Sequence, residues 1–196
     1  MNTPSNSSGH PEKNARPQAR PVALVTGASY GIGAAAAAGL AEDGYDLAIF
    51  DLDPATLAMT RNRVEQAGAR VSALPLDLRS QDSIETALSK AIECLGAVDA
   101  LVNNAGVAHS TRATDVTEEE WRHIIGTNLD AVFFWAQEAA RRMIKAGKKG
   151  AVVNIASVLG LSVSKGTIAY ATAKAGVIQM TKTIGLELAF KGVRVN

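Results

Sequence analysis

Residues 22–40 read VALVTGASYGIGAAAAAGL, which joins an apolar run to a glycine-rich turn and then to a row of alanines. The run VALVT has apolar residues at consecutive positions, the pattern of a strand buried on both faces. Gly27, Gly31 and Gly33 follow where such a strand would turn into a helix. Glycine permits a tight turn and lets backbone N–H groups approach a phosphate closely. The stretch therefore predicts a strand, a phosphate-binding turn and a helix. A glycine turn without a ligand is the alternative, because the spacing is G-x-x-x-G-x-G rather than the general G-x-G-x-x-G.

The same order of strand and helix continues along the rest of the chain. Five more apolar runs predict strands: DLAIF at 46–50, RVSALPL at 70–76, DALVN at 99–103, AVVNI at 151–155 and GVRVN at 192–196. Helical spacing of apolar residues predicts two long helices over 117–146 and 167–190. The first opens on Thr117 and Glu120, a capping-box pattern. Alternating strands and helices predict an α/β fold, with a doubly wound, mostly parallel, Rossmann-like sheet in a single domain over 22–196.

Composition argues against several classes of protein. The 196-residue chain has 47% hydrophobic and 20% charged residues and a net charge of +1. This balance is typical of globular domains, and it gives neither nucleic acid nor an anionic membrane a general attraction. No uncharged apolar run reaches the roughly 20 residues of a membrane span, and no His, Cys, Asp and Glu cluster has the spacing of a metal site. The sequence predicts no nucleic-acid, membrane or metal partner.

The N-terminal segment and the single cysteine carry two further expectations. Residues 1–21 hold four of the six prolines and almost no large apolar side chain, so they predict a disordered tail. Cys94 cannot form an internal disulfide, which favours a cytoplasmic protein. Its apolar neighbourhood, AIECLG, predicts that Cys94 packs inside the protein.

Two aspartates follow the second predicted strand. Asp53 precedes Pro54, the pattern of a helix N-cap with proline at the first helical position. Asp51 has no such structural role in the sequence and lies 18 residues after Gly33, where dinucleotide-binding folds place the acidic residue for the adenosine ribose. A carboxylate there also repels a 2′-phosphate, and Tyr30 gives the turn no basic partner for one. Asp51 therefore favours NAD over NADP, with a solvated turn aspartate as the alternative.

Three polar residues near the fifth strand suggest acid–base chemistry. Tyr170 and Lys174 are one helical turn apart and share a helix face. Ser157 follows the end of the fifth predicted strand, the edge of a parallel sheet where ligands bind. A phenol with an ordinary pKa of about 10 is a poor base at neutral pH, and a nearby ammonium group favours the phenolate. Together these residues predict general acid–base chemistry on a carbonyl or alcohol oxygen; taken alone, the Tyr–Lys pair could be an ordinary exposed helix pair.

From Pro21 to Asn196 the chain resembles a short-chain dehydrogenase/reductase. The resemblance is carried by TGASYGIG at 26–33, Asp77 in LDL, NNAG at 103–106, Asn128 in GTNLDAVFF, Ser157 in VVNIASVLG and YATAK at 170–174. Ser157 precedes Tyr170 by 13 residues, the usual spacing in the family. The resemblance implies an oxidoreductase that moves a hydride between NAD(H) and a small ketone or secondary alcohol.

The resemblance also implies a role for each catalytic residue. Tyr170 would be the general acid and base, and Ser157 would hydrogen-bond the substrate oxygen. Lys174 would bind the nicotinamide ribose and favour the phenolate of Tyr170. Asn128 would hold a water that connects Lys174 to solvent. Two structural alternatives stay open: Asn128 could satisfy backbone groups at a helix bend, and Ser157 could cap a turn.

The same resemblance assigns the cofactor contacts. Asp77 and Leu78 would lie beside the adenine ring, and Asn104 and Gly106 would shape the cofactor site after the fourth strand. The full set of expected cofactor contacts is Gly27, Ser29, Tyr30, Gly31, Ile32, Gly33, Asp51, Asp77, Leu78, Asn104, Ala105, Gly106, Tyr170 and Lys174.

The chain departs from the family pattern at its end. It stops at GVRVN, in the sixth predicted strand, whereas family members continue into a substrate-covering segment and a seventh strand. We therefore expect the domain over 22–196 to be incomplete at its C-terminus relative to the family. Two other functions stay open: an NADPH-dependent 3-oxoacyl reductase, which the motifs also resemble, and a truncated, non-catalytic nucleotide-binding protein. The two long helices resemble those with which family members assemble, which predicts a homodimer or homotetramer.

Overall fold

Six strands and six α-helices alternate along residues 20–196, the part of the chain that the computed structural model describes. Their bounds are β1 Val22–Thr26, α1 Gly31–Glu42, β2 Asp46–Asp51, α2 Ala58–Gln66, β3 Val71–Pro75, α3 Gln81–Leu95, β4 Val98–Asn103, α4 Glu118–Ile125, α5 Ala131–Lys145, β5 Gly150–Asn154, α6 Ile168–Leu188 and β6 Val193–Val195. Short 3-10 turns lie at Pro54–Leu57, Val158–Gly160 and Ala189–Lys191. Every predicted strand is present, close to its predicted bounds.

All six strands form one parallel sheet in the order β3-β2-β1-β4-β5-β6. This confirms the predicted doubly wound, Rossmann-like α/β fold. The chain winds outward from β1 in one direction and from β4 in the other. Neighbouring loops therefore part at the carboxyl ends of β1 and β4, and in open parallel sheets this opening is where ligands bind.

Apolar side chains cover both faces of the sheet. On one face, α1 and α2 pack over Val25, Leu47 and Ile49. On the other face, α3 and α5 pack over Leu24 and Phe50. This two-sided burial explains why the strands are apolar at consecutive positions rather than at alternating ones.

A π-helical segment, Gly126–Asp130, separates α4 from α5. The sequence predicted one unbroken helix over 117–146, and this prediction is wrong in that respect. Buried apolar residues lie on both sides of the interruption, with Ile124 before it and Val132 and Met143 after it, so apolar spacing alone gives no sign of it. Single-turn π segments inside helices are rare. Where they occur, they often lie at functional sites.

Only the end of the predicted N-terminal tail belongs to the described residues. Most of the predicted tail, residues 1–19, lies outside the described residues, but Arg20 is tied to the fold. Its guanidinium donates to the carbonyl oxygens of Gly44 at 3.0 Å and Gly68 at 2.7 Å.

Cys94 is exposed on α3, so the prediction that it packs inside is wrong. The buried side of α3 includes its neighbour Leu95, and Cys94 lies next to that side. Within residues 20–196, no helix combines the length and apolar character that crossing a membrane requires.

Candidate active site

Two of the three glycines in the turn after β1, Gly27 and Gly33, are packed so tightly that a side chain would not fit. A Cβ on Gly33 would collide with the carbonyl oxygen of Gly27, and a Cβ on Gly27 would lie 2.7 Å from the Cα of Ala105. Gly27 also has a φ of +64°, a conformation that favours glycine. The Asn104 side chain donates from Nδ2 to the carbonyl oxygens of Thr26 at 3.1 Å and Gly27 at 3.0 Å. Asn104 therefore ties the end of β4 to the glycine turn.

A cleft of about 450 Å³ opens beside this turn at the carboxyl edge of the sheet. Ten residues predicted to contact a cofactor line it: Gly27, Tyr30, Gly31, Ile32, Asp51, Asp77, Leu78, Asn104, Ala105 and Gly106. The other four predicted contacts, Ser29, Gly33, Tyr170 and Lys174, are not in its wall. The wall also holds residues that the sequence did not single out, namely Thr26, Phe50, Leu52, Leu76, Arg79, Val107, His123 and Thr127. Most of these are chain neighbours of predicted residues, whereas His123 and Thr127 come from α4 and the π-helical segment.

Asp51 lies at the end of β2 and is already hydrogen-bonded. Its Oδ2 accepts from the Ser29 hydroxyl at 2.6 Å, and its Oδ1 accepts from the Leu52 N–H at 2.9 Å. We expected a structural role only for Asp53, whose side chain does accept from the Ala55 N–H. The expected difference between the two aspartates is wrong, because Asp51 also accepts hydrogen bonds from neighbouring parts of the chain. A carboxylate offers about four acceptor positions, so Asp51 keeps acceptor capacity towards the cleft.

Asp77 stabilises the turn after β3. Its Oδ1 accepts from the Arg79 N–H at 3.0 Å, and the Arg79 guanidinium lies 3.4 Å from the same oxygen. The Asp77 N–H donates to the Ser83 hydroxyl at 3.1 Å. These bonds hold Asp77, Leu78 and Arg79 against the cleft opposite the glycine turn.

Asn128 sits in the π-helical segment and is fully buried. Its Nδ2 donates to the carbonyl oxygens of Val107 at 2.7 Å and Ile124 at 3.1 Å, and its Oδ1 accepts from the Val107 N–H at 3.1 Å. Asn128 thus satisfies backbone groups at a helix bend, which was the structural alternative to its catalytic role. Both amide hydrogens are engaged, so one acceptor position on Oδ1 is all that the side chain keeps for a water.

Lys174 is buried on α6, with 3% of its surface exposed. Its Nζ donates to the carbonyl oxygen of Ile155 at 2.6 Å and lies 5.8 Å from the centre of the Tyr170 ring. A Cβ on Gly106 would lie 3.9 Å from this nitrogen, so Lys174 lies behind Gly106, which is a residue of the cleft wall. Burial lowers the pKa of Lys174 from its ordinary value because it disfavours the charged form.

Ser157 begins the turn that follows β5. Its Oγ accepts from the Leu159 N–H at 3.2 Å, so Ser157 caps the 3-10 turn, as the structural alternative proposed. The turn packs directly on α6: a Cβ on Gly160 would lie 2.8 Å from the carbonyl carbon of Lys174. In that bond the Ser157 oxygen is the acceptor, which leaves its hydroxyl hydrogen available to a ligand.

The cleft suits a ligand that carries phosphate and hydroxyl groups. The glycine turn forms part of its wall and leads into the N-terminus of the 12-residue helix α1. Backbone N–H groups and the helix dipole at this point favour a phosphate. The Thr127 hydroxyl in the cleft wall is buried without a hydrogen-bond partner in the described part of the chain. Across residues 20–196, no three His, Cys, Asp or Glu side chains are placed to hold a metal ion.

Comparison with known proteins places the chain in a family. The family model described as short chain dehydrogenase matches residues 21–196. The chain is 36% identical over 175 residues to the 3-oxoacyl-(acyl-carrier-protein) reductase FabG of Chlamydia muridarum, covering 89% of this chain and 70% of that protein. It is 37% identical over 177 residues to L-2,3-butanediol dehydrogenase of Corynebacterium glutamicum, covering 89% of this chain and 69% of that protein.

A solved structure gives the same result. The crystal structure of an NAD⁺-bound xylitol dehydrogenase superposes with a TM-score of 0.86 at 30% sequence identity, covering 90% of this chain and 68% of that chain. The fold and the sequence motifs of the described residues thus indicate the same family. The chain belongs to the short-chain dehydrogenase/reductase family and is a NAD(P)-dependent oxidoreductase that acts on CH–OH or C=O groups.

Proposed function

We propose that this protein moves a hydride between NAD(H) and a small ketone or secondary alcohol, with Tyr170 as the general acid and base. The observation that carries the proposal is the position of the Lys174 ammonium group. It is buried, hydrogen-bonded to Ile155, 5.8 Å from the centre of the Tyr170 ring and behind Gly106 of the cleft wall. A phenol, a buried ammonium group and a neighbouring cleft beside a glycine turn are the components of such a reaction.

Each catalytic side chain has a distinct task in this proposal. Tyr170 Oη gives its proton to the carbonyl oxygen during reduction and takes one from the alcohol in the reverse direction. Ser157 donates its free hydroxyl hydrogen to the same substrate oxygen and so orients it. Lys174 Nζ uses one hydrogen on Ile155 and keeps two, which hydrogen-bond the nicotinamide ribose and favour the phenolate.

The bound dinucleotide supplies or accepts the hydride. The glycine turn would hold its pyrophosphate, Asp51 the adenosine ribose, and Asp77 and Leu78 the adenine ring. Asn128 would hold a proton-relay water through its remaining acceptor position, while its other bonds fix the loop at Val107.

Measuring turnover tests this proposal. The purified chain is given NADH and a panel of small ketones, and loss of NADH absorbance is followed. Ser157→Ala should lower kcat by about 10²-fold, the scale of one preorganised donor. Ser157→Thr keeps the hydroxyl and should keep most of the rate. NAD binding without turnover on any carbonyl or alcohol would instead favour the non-catalytic alternative.

Asp51 supports NAD as the preferred cofactor. Its carboxylate lines the cleft at the end of β2 and would repel a 2′-phosphate. The similar NAD⁺-bound xylitol dehydrogenase structure agrees with this choice. The second candidate is an NADPH-dependent 3-oxoacyl reductase, which the 36% identity to a 3-oxoacyl reductase favours. Turnover with NADH and NADPH, each on a 3-oxoacyl thioester and on a simple ketone, separates the two.

The proposal includes a cytoplasmic homo-oligomer, either a dimer or a tetramer. Its support is the exposure of large apolar side chains on the outer helices, among them Trp121 on α4, Phe134 on α5 and Leu186 on α6. Large exposed apolar patches mark protein–protein interfaces, and this part of the proposal assigns these three helices to one. Light scattering of the purified protein should give a mass of two or four chains, and a monomer would contradict this part of the proposal.

A further inference from the structure

The loop after β4 is held at two points by the helical segment that follows it. Asn128 binds both the N–H and the carbonyl group of Val107. Farther along the loop, the Glu120 carboxylate accepts from the Thr111 hydroxyl at 2.6 Å. The first contact belongs to the site already described. The second contact lies outside the cleft wall and outside the set of predicted catalytic residues.

Glu120 does not complete the capping box that the sequence predicted. The Thr117 hydroxyl does accept from the Glu120 N–H at 3.1 Å, but the Glu120 side chain turns to Thr111 instead of back to the Thr117 backbone. The His109 ring covers it, with Nε2 3.3 Å from the carboxylate. Both ring nitrogens of His109 are buried without a hydrogen-bond partner in the described residues. The Glu120–Thr111 bond is itself partly buried, which makes it stronger than a fully exposed bond.

Thr111 in turn holds the segment that leads into α6. The Thr111 N–H donates to the Gly166 carbonyl oxygen at 2.9 Å, and Thr111 forms an isolated parallel bridge with Thr167. Gly166 has a φ of +77°, and a Cβ there would lie 2.8 Å from the Ser110 hydroxyl, so the two segments are in close contact. Thr167 is the residue before α6.

The start of α6 lacks a side-chain cap, so this bridge is one of the contacts that hold it. The Thr167 hydroxyl donates to the Ser164 carbonyl oxygen at 2.9 Å rather than capping the helix. Tyr170 lies in the first turn of α6, three residues after Thr167. The contacts of Thr111 with Gly166 and Thr167 therefore hold the residues that lead directly into this turn.

We propose that Glu120 is a positioning residue for Tyr170, acting through the Thr111 hydroxyl and the Thr111–Gly166 bridge. The inference rests on the proposed role of Tyr170 as the general acid and base. Glu120 touches neither substrate nor cofactor; it holds the helix turn that carries the phenol. A misplacement of about 1 Å at a reacting group can cost about 10²-fold in rate, so this bond affects kcat rather than cofactor affinity.

The kinetic test compares neighbouring glutamates. Glu120→Ala should lower kcat by about 10- to 100-fold, with the Kd for NADH within about twofold of the unmodified value. Glu119→Ala is the matched control, because Glu119 is exposed on the same first turn of α4. Glu120→Gln should restore most of the rate, since an amide oxygen also accepts from Thr111. An unchanged kcat in Glu120→Ala, or a Glu120→Gln variant as slow as Glu120→Ala, would overturn the proposal.

The second test needs no turnover. Hydrogen exchange of the 164–172 segment should become faster in Glu120→Ala and in Thr111→Val, but not in Glu119→Ala or Thr111→Ser. Exchange of the β1 segment should stay unchanged in all four. Equal acceleration throughout the chain, or none at 164–172, would refute the role of Glu120 in positioning α6. If the unmodified chain shows no turnover, the proposed role of Tyr170 fails while this exchange result still decides whether Glu120 fixes α6.

Discussion

Replacing Gly33 with alanine should weaken both the fold and dinucleotide binding. The added Cβ would collide with the Gly27 carbonyl oxygen and lie 2.5 Å from Asn104 Nδ2. Neither group can move freely, because Asn104 donates to that same carbonyl oxygen and Gly27 is pressed against Ala105. Overpacking of this kind costs about 1–3 kcal/mol. We expect the free energy of unfolding of Gly33→Ala to fall by that amount.

Cofactor affinity should fall as well. The free protein relieves the collision by shifting the glycine turn, and a bound pyrophosphate would require the turn to shift back. Since 1.4 kcal/mol corresponds to a factor of ten in affinity, the Kd for NADH should rise by about tenfold or more. NADH fluorescence titration measures this change, and urea unfolding measures the change in stability.

Gly39→Ala is the matched control on the same helix. Its Cβ would meet nothing within 4 Å, and alanine is more favourable than glycine inside a helix by about 0.5–1 kcal/mol. Gly39→Ala should therefore be slightly more stable than the unmodified protein and bind NADH equally well. If Gly33→Ala and Gly39→Ala behaved alike, the close packing of α1 against the glycine turn would not be what shapes the phosphate site.

Three further measurements address other parts of the account. Asp51→Ala should raise the NADPH-to-NADH preference by about tenfold, the effect of about 1.4 kcal/mol of removed repulsion; an unchanged ratio of the two Kd values would exclude a role for Asp51 in cofactor choice. Burial lowers the pKa of Lys174, so between that lowered value and 10.5 the unfolded chain binds more protons than the folded one. Urea unfolding should therefore show the unmodified protein gaining stability relative to Lys174→Met as pH rises through that interval, and a flat difference would contradict the burial of a charged lysine. Trp135→Ala should lower the free energy of unfolding by about 3–5 kcal/mol, because Trp135 is fully buried in edge-to-face contact with Phe50; a loss below 1 kcal/mol would mean that this contact is not central to the core.

The sheet could be predicted because its strands are simple signals. A strand buried on both faces, such as Val22–Thr26, is apolar at every position, and a glycine turn after it marks the start of a helix. The π-helical segment could not be predicted in this way. Its extra residue changes the hydrogen-bond pattern of the backbone but leaves the buried stripe through Val132 and Met143 in place.

The site was predictable where a motif carries its own geometry. Tyr170 and Lys174 share a face because they are one helical turn apart, and Gly27 and Gly31 line the cleft because they follow directly after β1 at the carboxyl edge of the sheet. Long-range contacts carry no such signal. Nothing in the local sequence indicates that Glu120 turns from its own helix start to Thr111, because that choice depends on where the loop after β4 lies in space.

The most direct test of the central claim is to remove one oxygen atom from the proposed acid. Tyr170→Phe keeps the ring beside Lys174 and deletes only the hydroxyl group, whereas Tyr45→Phe makes the same change on a ring that packs against the core. NADH-dependent reduction of a ketone that the unmodified chain accepts should be lost in Tyr170→Phe and retained in Tyr45→Phe, with the Kd for NADH unchanged in both. Turnover by Tyr170→Phe at the rate of the unmodified chain would contradict the account.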